Sequence, residues 1–368
     1  MKKTYFLIVA LMLAICCGNA ASQEITVQDP VELKISEMTL REKVGKLFFV
    51  RPEALKENSW PMEMLPDDAA AFCGQYSVGG VVLFAHNILD SVQLRRFTSA
   101  IHALPGHPLV CIDEEGGRVA RIANNESFDV PRYASMESIG KTGDVKNAYN
   151  AGFSIGSYLR RYGFDVDFAP VADMNTNPQN IVIGARAFSG NPWVAAPMVV
   201  SCMRGFMDAG VVPCLKHFPG HGDTSGDTHE GYVQIDKTWE EMTDAEIIPF
   251  RAGIRQGAPM VMAAHISVPA VTGSDIPASL SSIILQDKLR KELGFDGVIV
   301  TDAIGMGAIS KRYSSGEAAL ACFLAGADII LMPENLPEAF DAILSAVQDG
   351  TISGQRLDDS VRRILSLR

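Results

Sequence analysis

The sequence lacks a long basic run, and Asp and Glu outnumber Lys and Arg by 43 to 32, for a formal net charge of −11. That balance argues against nucleic acid or an anionic membrane surface as the main partner. No glycine-rich dinucleotide fingerprint follows the first strand candidate, which counts against a doubly wound nucleotide-binding sheet. No solenoid-length repeat and no low-complexity linker breaks the chain into modules. Close-paired cysteines are missing too. Beyond the N-terminal stretch, Cys73, Cys111, Cys202, Cys214 and Cys322 stand alone, mostly in apolar runs such as Leu109-Val110-Cys111-Ile112. Buried free thiols are expected from them, rather than a metal or redox centre. No cofactor and no metal is expected.

What is present begins with an export pattern. Lys2 and Lys3 precede an apolar run from Tyr5 to Cys17, then Gly18-Asn19-Ala20-Ala21. A positive start, an apolar middle and small residues at the end read as a signal peptide over residues 1–22. The run is too short for a comfortable membrane span. Cys16 and Cys17 offer lipid attachment as a second possibility, although Ile15 is a poor match to the small residue usual there. An exported, periplasmic or envelope-associated protein is expected, acting as a monomer.

The remaining 23–368 read as one domain. At 47% hydrophobic and 20% charged residues, the composition supports a large core. Short apolar runs alternate with helix-length segments. The strand candidates are Lys46–Val50, Gly79–Phe84, Leu109–Asp113, Phe164–Ala169, Val211–His217, Met260–His265, Gly297–Asp302 and Asp328–Met332. Most are apolar on both faces, as in a parallel sheet covered on both sides; Phe164–Ala169, with Asp165 and Asp167, is the exception. Helices are expected near Gln93–Ala103, Ala148–Arg161, Trp193–Ala209, Ile283–Leu293 and Gly316–Ala325. A capping box at Thr39-Leu40-Arg41-Glu42 starts the helix before the first strand, and Gly354–Leu367 reads as a final amphipathic helix. Eight strand–helix units in this length point to an α/β fold, a single (β/α)8 TIM-type barrel.

Polar residues gather at the strand ends: Asp113, Lys216 with His217, His265, and Asp302. In a barrel these ends converge on one face, where active sites form. The densest segment runs from Lys216 to His229 and holds three of the seven histidines: His217, His221 and His229. Pro219 and Gly220, Gly222 and Gly226 rule out a regular helix there, so His217 and His221 are not a helical zinc pair. A loop-built metal site remains the runner-up for this segment. Retaining glycoside hydrolysis needs a carboxylate nucleophile and a separate acid/base. Asp302, leaving Val298-Ile299-Val300-Thr301, suits the first role. In Asp227-Thr228-His229 an extended backbone would put both outer side chains on one face, so Asp227 could orient His229 as the second.

These segments resemble glycoside hydrolase family 3, specifically its β-N-acetylhexosaminidase branch. The resemblance runs from Met38-Thr39-Leu40-Arg41-Glu42-Lys43-Val44-Gly45 to the final Arg-Arg-Ile-Leu. It is most specific at Lys216–His229, then at Thr301-Asp302-Ala303 with Met306, then at Ile112-Asp113-Glu114-Glu115-Gly116-Gly117-Arg118-Val119-Ala120-Arg121. It implies Asp302 as the nucleophile, His229 oriented by Asp227 as the acid/base, and Asp113, Arg121, Arg186, Lys216 and His217 as substrate-binding residues. His221 and Asp223 would shape the loop. Two-domain β-glucosidases of the family lack the Asp-x-His loop and take their acid/base from outside the barrel; here the barrel is expected to supply it. Glu114 departs from the branch, which often has an uncharged polar residue or His at that position. The implied activity is release of terminal β-linked N-acetylglucosamine, with peptidoglycan or chitin-type fragments as substrates. A β-glucosidase or β-xylosidase, a phosphorylase on the same barrel, and a non-catalytic sugar-binding protein are the alternatives.

Overall fold

The computed structural model describes residues 29–55, 62–224, 226–228 and 231–367. The expected signal peptide, Cys16, Cys17 and His229 lie outside the described residues. Eight parallel strands follow one another in sequence order: β1 (Phe48–Val50), β2 (Gly80–Leu83), β3 (Leu109–Ile112), β4 (Val166–Asp167), β5 (Val212–Phe218), β6 (Met260–Ala263), β7 (Val298–Thr301) and β8 (Ile330–Leu331). Strands β1 and β8 pair through Phe48 with Ile330 and Phe49 with Leu331. A bridge between Val300 and Ile329 joins β7 to β8 and closes the ring. The chain therefore folds as a single (β/α)8 barrel.

Each expected strand is found, trimmed by a few residues except β5, which is shifted by one and runs on to Phe218. Lys46 is a correction. It ends the helix Leu40–Lys46 instead of opening β1, and its buried ammonium bonds the Gly106 carbonyl. The Thr39 capping box forms as expected, with the Thr39 hydroxyl accepting from the Glu42 N–H and Glu42 accepting in return from the Thr39 N–H at 2.7 Å. The polar exception among the strands has a physical cause. Asp165 accepts the Val110 N–H at 2.8 Å, and Asp167 accepts the Glu114 N–H at 2.8 Å, so both carboxylates latch β4 onto β3.

The expected helices form the outer ring as Ser91–His102, Val145–Arg161, Pro192–Asp208 and Ser315–Ala325. Ile283–Glu292 is helical as expected but wound as a π-helix, with the Leu293 N–H reaching the Lys288 carbonyl. The last helix, Gly354–Leu365, docks through Asp328. This fully buried carboxylate pairs with Arg290 at 2.5 Å and Arg363 at 3.2 Å, and accepts from Ser360. All five internal cysteines are buried and unpaired. Burial pushes Cys73 up to about 11 and Cys322 up to about 12, so neither is a ready nucleophile.

Candidate active site

The C-terminal ends of the strands open into a pocket with about 170 Å3 of free space. That is small beside the roughly 300–1,000 Å3 usual for drug-sized ligands, and on the scale of one sugar ring. Asp113 from β3, Arg121 and Arg186 from the loops after β3 and β4, Lys216 and His217 from β5, and Asp302 from β7 all line it. Six residues singled out in the sequence thus meet in one place. Asp227 is described, but its expected partner His229 is not. His265 sits one shell away, with ring nitrogens on the Ser279 hydroxyl at 2.8 Å and the Ala303 carbonyl at 2.9 Å.

Two neighbouring residues of β5 reach the pocket together. Regular strand alternation would send Lys216 and His217 to opposite faces. The β5–β6 register shifts between Leu215 and Phe218, and such an irregularity re-aims side chains. The Lys216 ammonium, almost fully buried, contacts Asp113 at 2.7 Å and Glu115 at 2.6 Å. Burial opposes its charge, but Asp113 and Glu115 outweigh that and hold its pKa well above the ordinary lysine value.

Glu115 was not among the sequence candidates, yet it joins the cluster. Its two oxygens take a forked contact from Arg186, at 2.8 and 2.7 Å. Burial alone would raise its carboxyl; Arg186 and Lys216 overcome that and drive it far below the usual range. Asp113 and Glu115 share a face because they are two apart, the period of an extended chain. Glu114, between them, turns the other way. Its buried carboxylate accepts the N–H groups of Arg121, Ile122 and Ala123 and the Tyr158 hydroxyl. It therefore fixes the backbone that carries Arg121, whose guanidinium stands 3.6 Å from Asp113.

Asp173 is a second residue missed from sequence. It sits in Val171-Ala172-Asp173-Met174, away from any strand end. Its carboxylate meets His217 Nδ1 at 2.6 Å and accepts the N–H groups of His217 and His221. That leaves His217 Nε2 facing the pocket, 3.5 Å from an Arg186 nitrogen. His221 also lines the pocket, but its ring is engaged by Thr224 at 2.9 Å and Thr228 at 3.4 Å, consistent with a loop-shaping role. Burial, helped by His217, keeps His221 below the usual histidine value and so neutral. Asp223 pairs with Lys237 at 3.1 Å, again within the loop framework.

Asp302 lies at the pocket's β7 side, its Oδ1 accepting the Ala303 N–H at 2.8 Å. Burial would raise its carboxyl, but His217, His265, the Ala303 amide and Lys216 outweigh it and hold it ionised below the ordinary aspartate value. The β5 loop crosses toward the same side: the Ala308 N–H donates to the Thr228 carbonyl at 3.1 Å. The arrangement sets the ionised Asp302 carboxylate against a fixed set of cations, carboxylates and imidazoles able to grip several hydroxyls at once.

The comparisons with known proteins agree with this architecture. The family model described as the glycosyl hydrolase family 3 N terminal domain matches residues 39–367. Beta-hexosaminidase A of Pseudoalteromonas piscicida is 35% identical over 337 residues, covering 83% of this chain and 56% of that protein. Beta-hexosaminidase LpqI of Mycobacterium tuberculosis is 35% identical over 314 residues, covering 82% of this chain and 78% of that one. The solved structure of a glycoside hydrolase family 3 beta-N-acetylglucosaminidase from Paenibacillus sp. superposes with a TM-score of 0.83 at 39% identity, over 90% of this chain and 62% of that one. The chain thus spans little more than half the length of the first of these relatives. Fold, site and relatives together show that the chain belongs to glycosyl hydrolase family 3.

Proposed function

We propose that the protein is a retaining β-N-acetylhexosaminidase that releases terminal β-linked N-acetylglucosamine. The observation that carries this reading is the shared pocket: an ionised Asp302 facing Asp113, Arg121, Arg186, Lys216 and His217 across a space fit for one sugar ring. The names of the relatives support the choice of sugar. In the first step an Asp302 oxygen attacks the anomeric carbon, and the bond to the leaving oxygen breaks as His229 hands that oxygen a proton. In the second step His229 takes a proton from water, the water oxygen attacks the anomeric carbon, and the ester to Asp302 breaks. Asp113 and Lys216 hold ring hydroxyls, and Asp227 keeps the His229 imidazole oriented. We further propose that the protein is exported, on the strength of the N-terminal pattern, and acts on peptidoglycan or chitin-type fragments as a monomer.

The test compares an aryl β-N-acetylglucosaminide with the matching β-glucoside, using wild type, Asp302→Ala and His229→Ala. Strong preference for the acetamido sugar is expected. Asp302→Ala should lose several orders of magnitude in kcat with its fold intact. His229→Ala should lose roughly 10²–10⁴-fold on poor leaving groups and far less on good ones. Equal cleavage of both sugars defeats the branch assignment, and an active Asp302→Ala defeats the nucleophile.

A further inference from the structure

The loop after β5 carries Asp227 and His229, and its described residues are held at several points. The outgoing leg lies directly on the segment after β4. A Cβ at Gly222 would fall 1.5 Å from the Met174 carbonyl oxygen, and the Asn177 amide donates to the carbonyls of Asp223 at 3.3 Å and Thr224 at 3.2 Å. Farther out, the Thr228 carbonyl takes the Ala308 N–H from the segment after β7, and the Asp227 carbonyl takes the Gly231 N–H at 3.2 Å. The return leg runs along Ser267, which donates its N–H to the Val233 carbonyl at 2.9 Å and accepts the Ile235 N–H at 2.9 Å.

One ammonium joins the two legs. Lys237, closing the return leg, stands 3.1 Å from Asp223 on the outgoing leg and 2.6 Å from Glu246, which precedes the helix Ile247–Arg255. The other Asp223 oxygen accepts the Thr176 hydroxyl at 3.2 Å. Glu246 has no exposure, and its second oxygen has no partner. Nor has it room to shift, because a Cβ at Gly220 would meet Glu246 Cβ at 2.9 Å. A buried carboxylate with an unsatisfied oxygen costs stability. The helix itself does not need the charge, since Ile247 and Phe250 are buried and dock it through apolar contact. What Glu246 fixes is where the ammonium, and with it Asp223, can stand. Burial opposes the charge on Lys237, but Glu246 and then Asp223 outweigh it and hold its pKa above the ordinary lysine value. Lys237 therefore keeps its protons and is no proton donor.

We propose that Lys237 is a positioning residue for proton transfer: bridging Asp223 and Glu246, it sets where the loop bearing Asp227 and His229 stands over the pocket, without touching the sugar. The proposal rests on the glycosidase reading, and the test keeps the two apart. Aryl β-N-acetylglucosaminides with good and poor leaving groups are compared on wild type, Lys237→Met, Lys237→Arg and Asp223→Asn. Lys237→Met should lose roughly ten- to hundredfold in kcat on the poor leaving groups, the cost of displacing a reacting group by about an ångström. Good leaving groups need little protonation, so the loss there should stay under about twofold, with KM unchanged on both. Lys237→Arg keeps a cation between the two carboxylates and should recover part of the loss. Asp223→Asn frees the loop and leaves Glu246 paired, so it should repeat the selective loss even where Lys237→Met folds poorly. Combining it with Lys237→Met should add little, as for two ends of one contact. Equal losses on good and poor leaving groups, or no loss in Asp223→Asn, overturn the proposal and leave Lys237 a structural residue. Hydrogen exchange at Ala308 and Gly231, whose N–H groups bond the loop carbonyls, reads the loop without turnover. If wild type cleaves no glycoside but exchange there rises in Asp223→Asn, the activity is wrong and the strut stands. If turnover is normal and neither exchange nor leaving-group dependence changes, the strut is wrong and the activity stands.

Discussion

Glu115 is the side chain on which the cation cluster depends. It has almost no exposure, and both Arg186 and Lys216 lean on it. Replacing it with glutamine leaves two buried cations short of an anion, which costs several kcal/mol, on the order of 3–5. Glu115→Gln is expected to unfold at markedly lower urea and to raise KM by misplacing Arg186 and Lys216. Urea unfolding with parallel kinetics checks this; an unchanged midpoint would show that solvent or another acid compensates. Asp302, Asp113, Lys216 and His217 were legible because each ends an apolar run, and a charge there demands an explanation. Glu115 was hidden behind Asp113 and Glu114 in one acidic string, where a single chain cannot tell which carboxylate faces inward. Asp173 gave no signal because its partners His217 and His221 lie 44 and 48 positions away.

At the scale of elements, the final helix is held by an ionic joint as well as by its buried apolar face of Leu357, Val361 and Ile364. Asp328 sits just before β8, fully buried, and gathers Arg290 from the Ile283–Glu292 helix and Arg356 and Arg363 from the final helix. It also accepts the Ile299 N–H at 2.9 Å, tying β7 to the same point. Asp328→Ala strands these guanidiniums and is expected to destabilise the protein by about 3–5 kcal/mol. Hydrogen exchange should then rise first in Gly354–Leu365; uniform exchange across the barrel would contradict a local joint. Periodicity located the strands and most helices because a parallel barrel buries both strand faces. It could not show the β5 irregularity, since the pattern of two permits only one of Lys216 and His217 to face the pocket. Nor could it show that Lys46 closes a helix, because a buried lysine bonded to a distant carbonyl leaves no periodic trace.

For the molecule as a whole, the buried acids set the response to pH. Glu115, Asp173 and Asp302 bind protons less readily folded than unfolded, and so does His221. Each contributes stability that is complete above its unfolded value and fades as pH falls toward the folded one. The His221 share is lost first, below about 6.5, and the carboxylate shares follow below about 4.5 and 3.8. Glu114 and Asp167, raised by burial, act in the opposite sense: their contribution is present below the unfolded value and wanes as pH rises through the folded one. The carboxylates held down are the more numerous at the site, so stability should drop steeply below about pH 4.5, and Glu115→Gln should flatten that limb. Urea midpoints at pH 7, 5 and 3 check it; identical midpoints would mean the buried pairs carry no net linkage.

The pairing of β1 with β8 has a consequence in time. Ribosomes and secretion channels deliver a chain from its N-terminus, so Phe48–Val50 emerges long before Ile330–Leu331. Until that last partner arrives, one edge of the first strand has nothing to bond, and the ring cannot shut. A nascent chain of this protein should therefore stay pliable until Ile330–Leu331 has been made, and then close in a single late event.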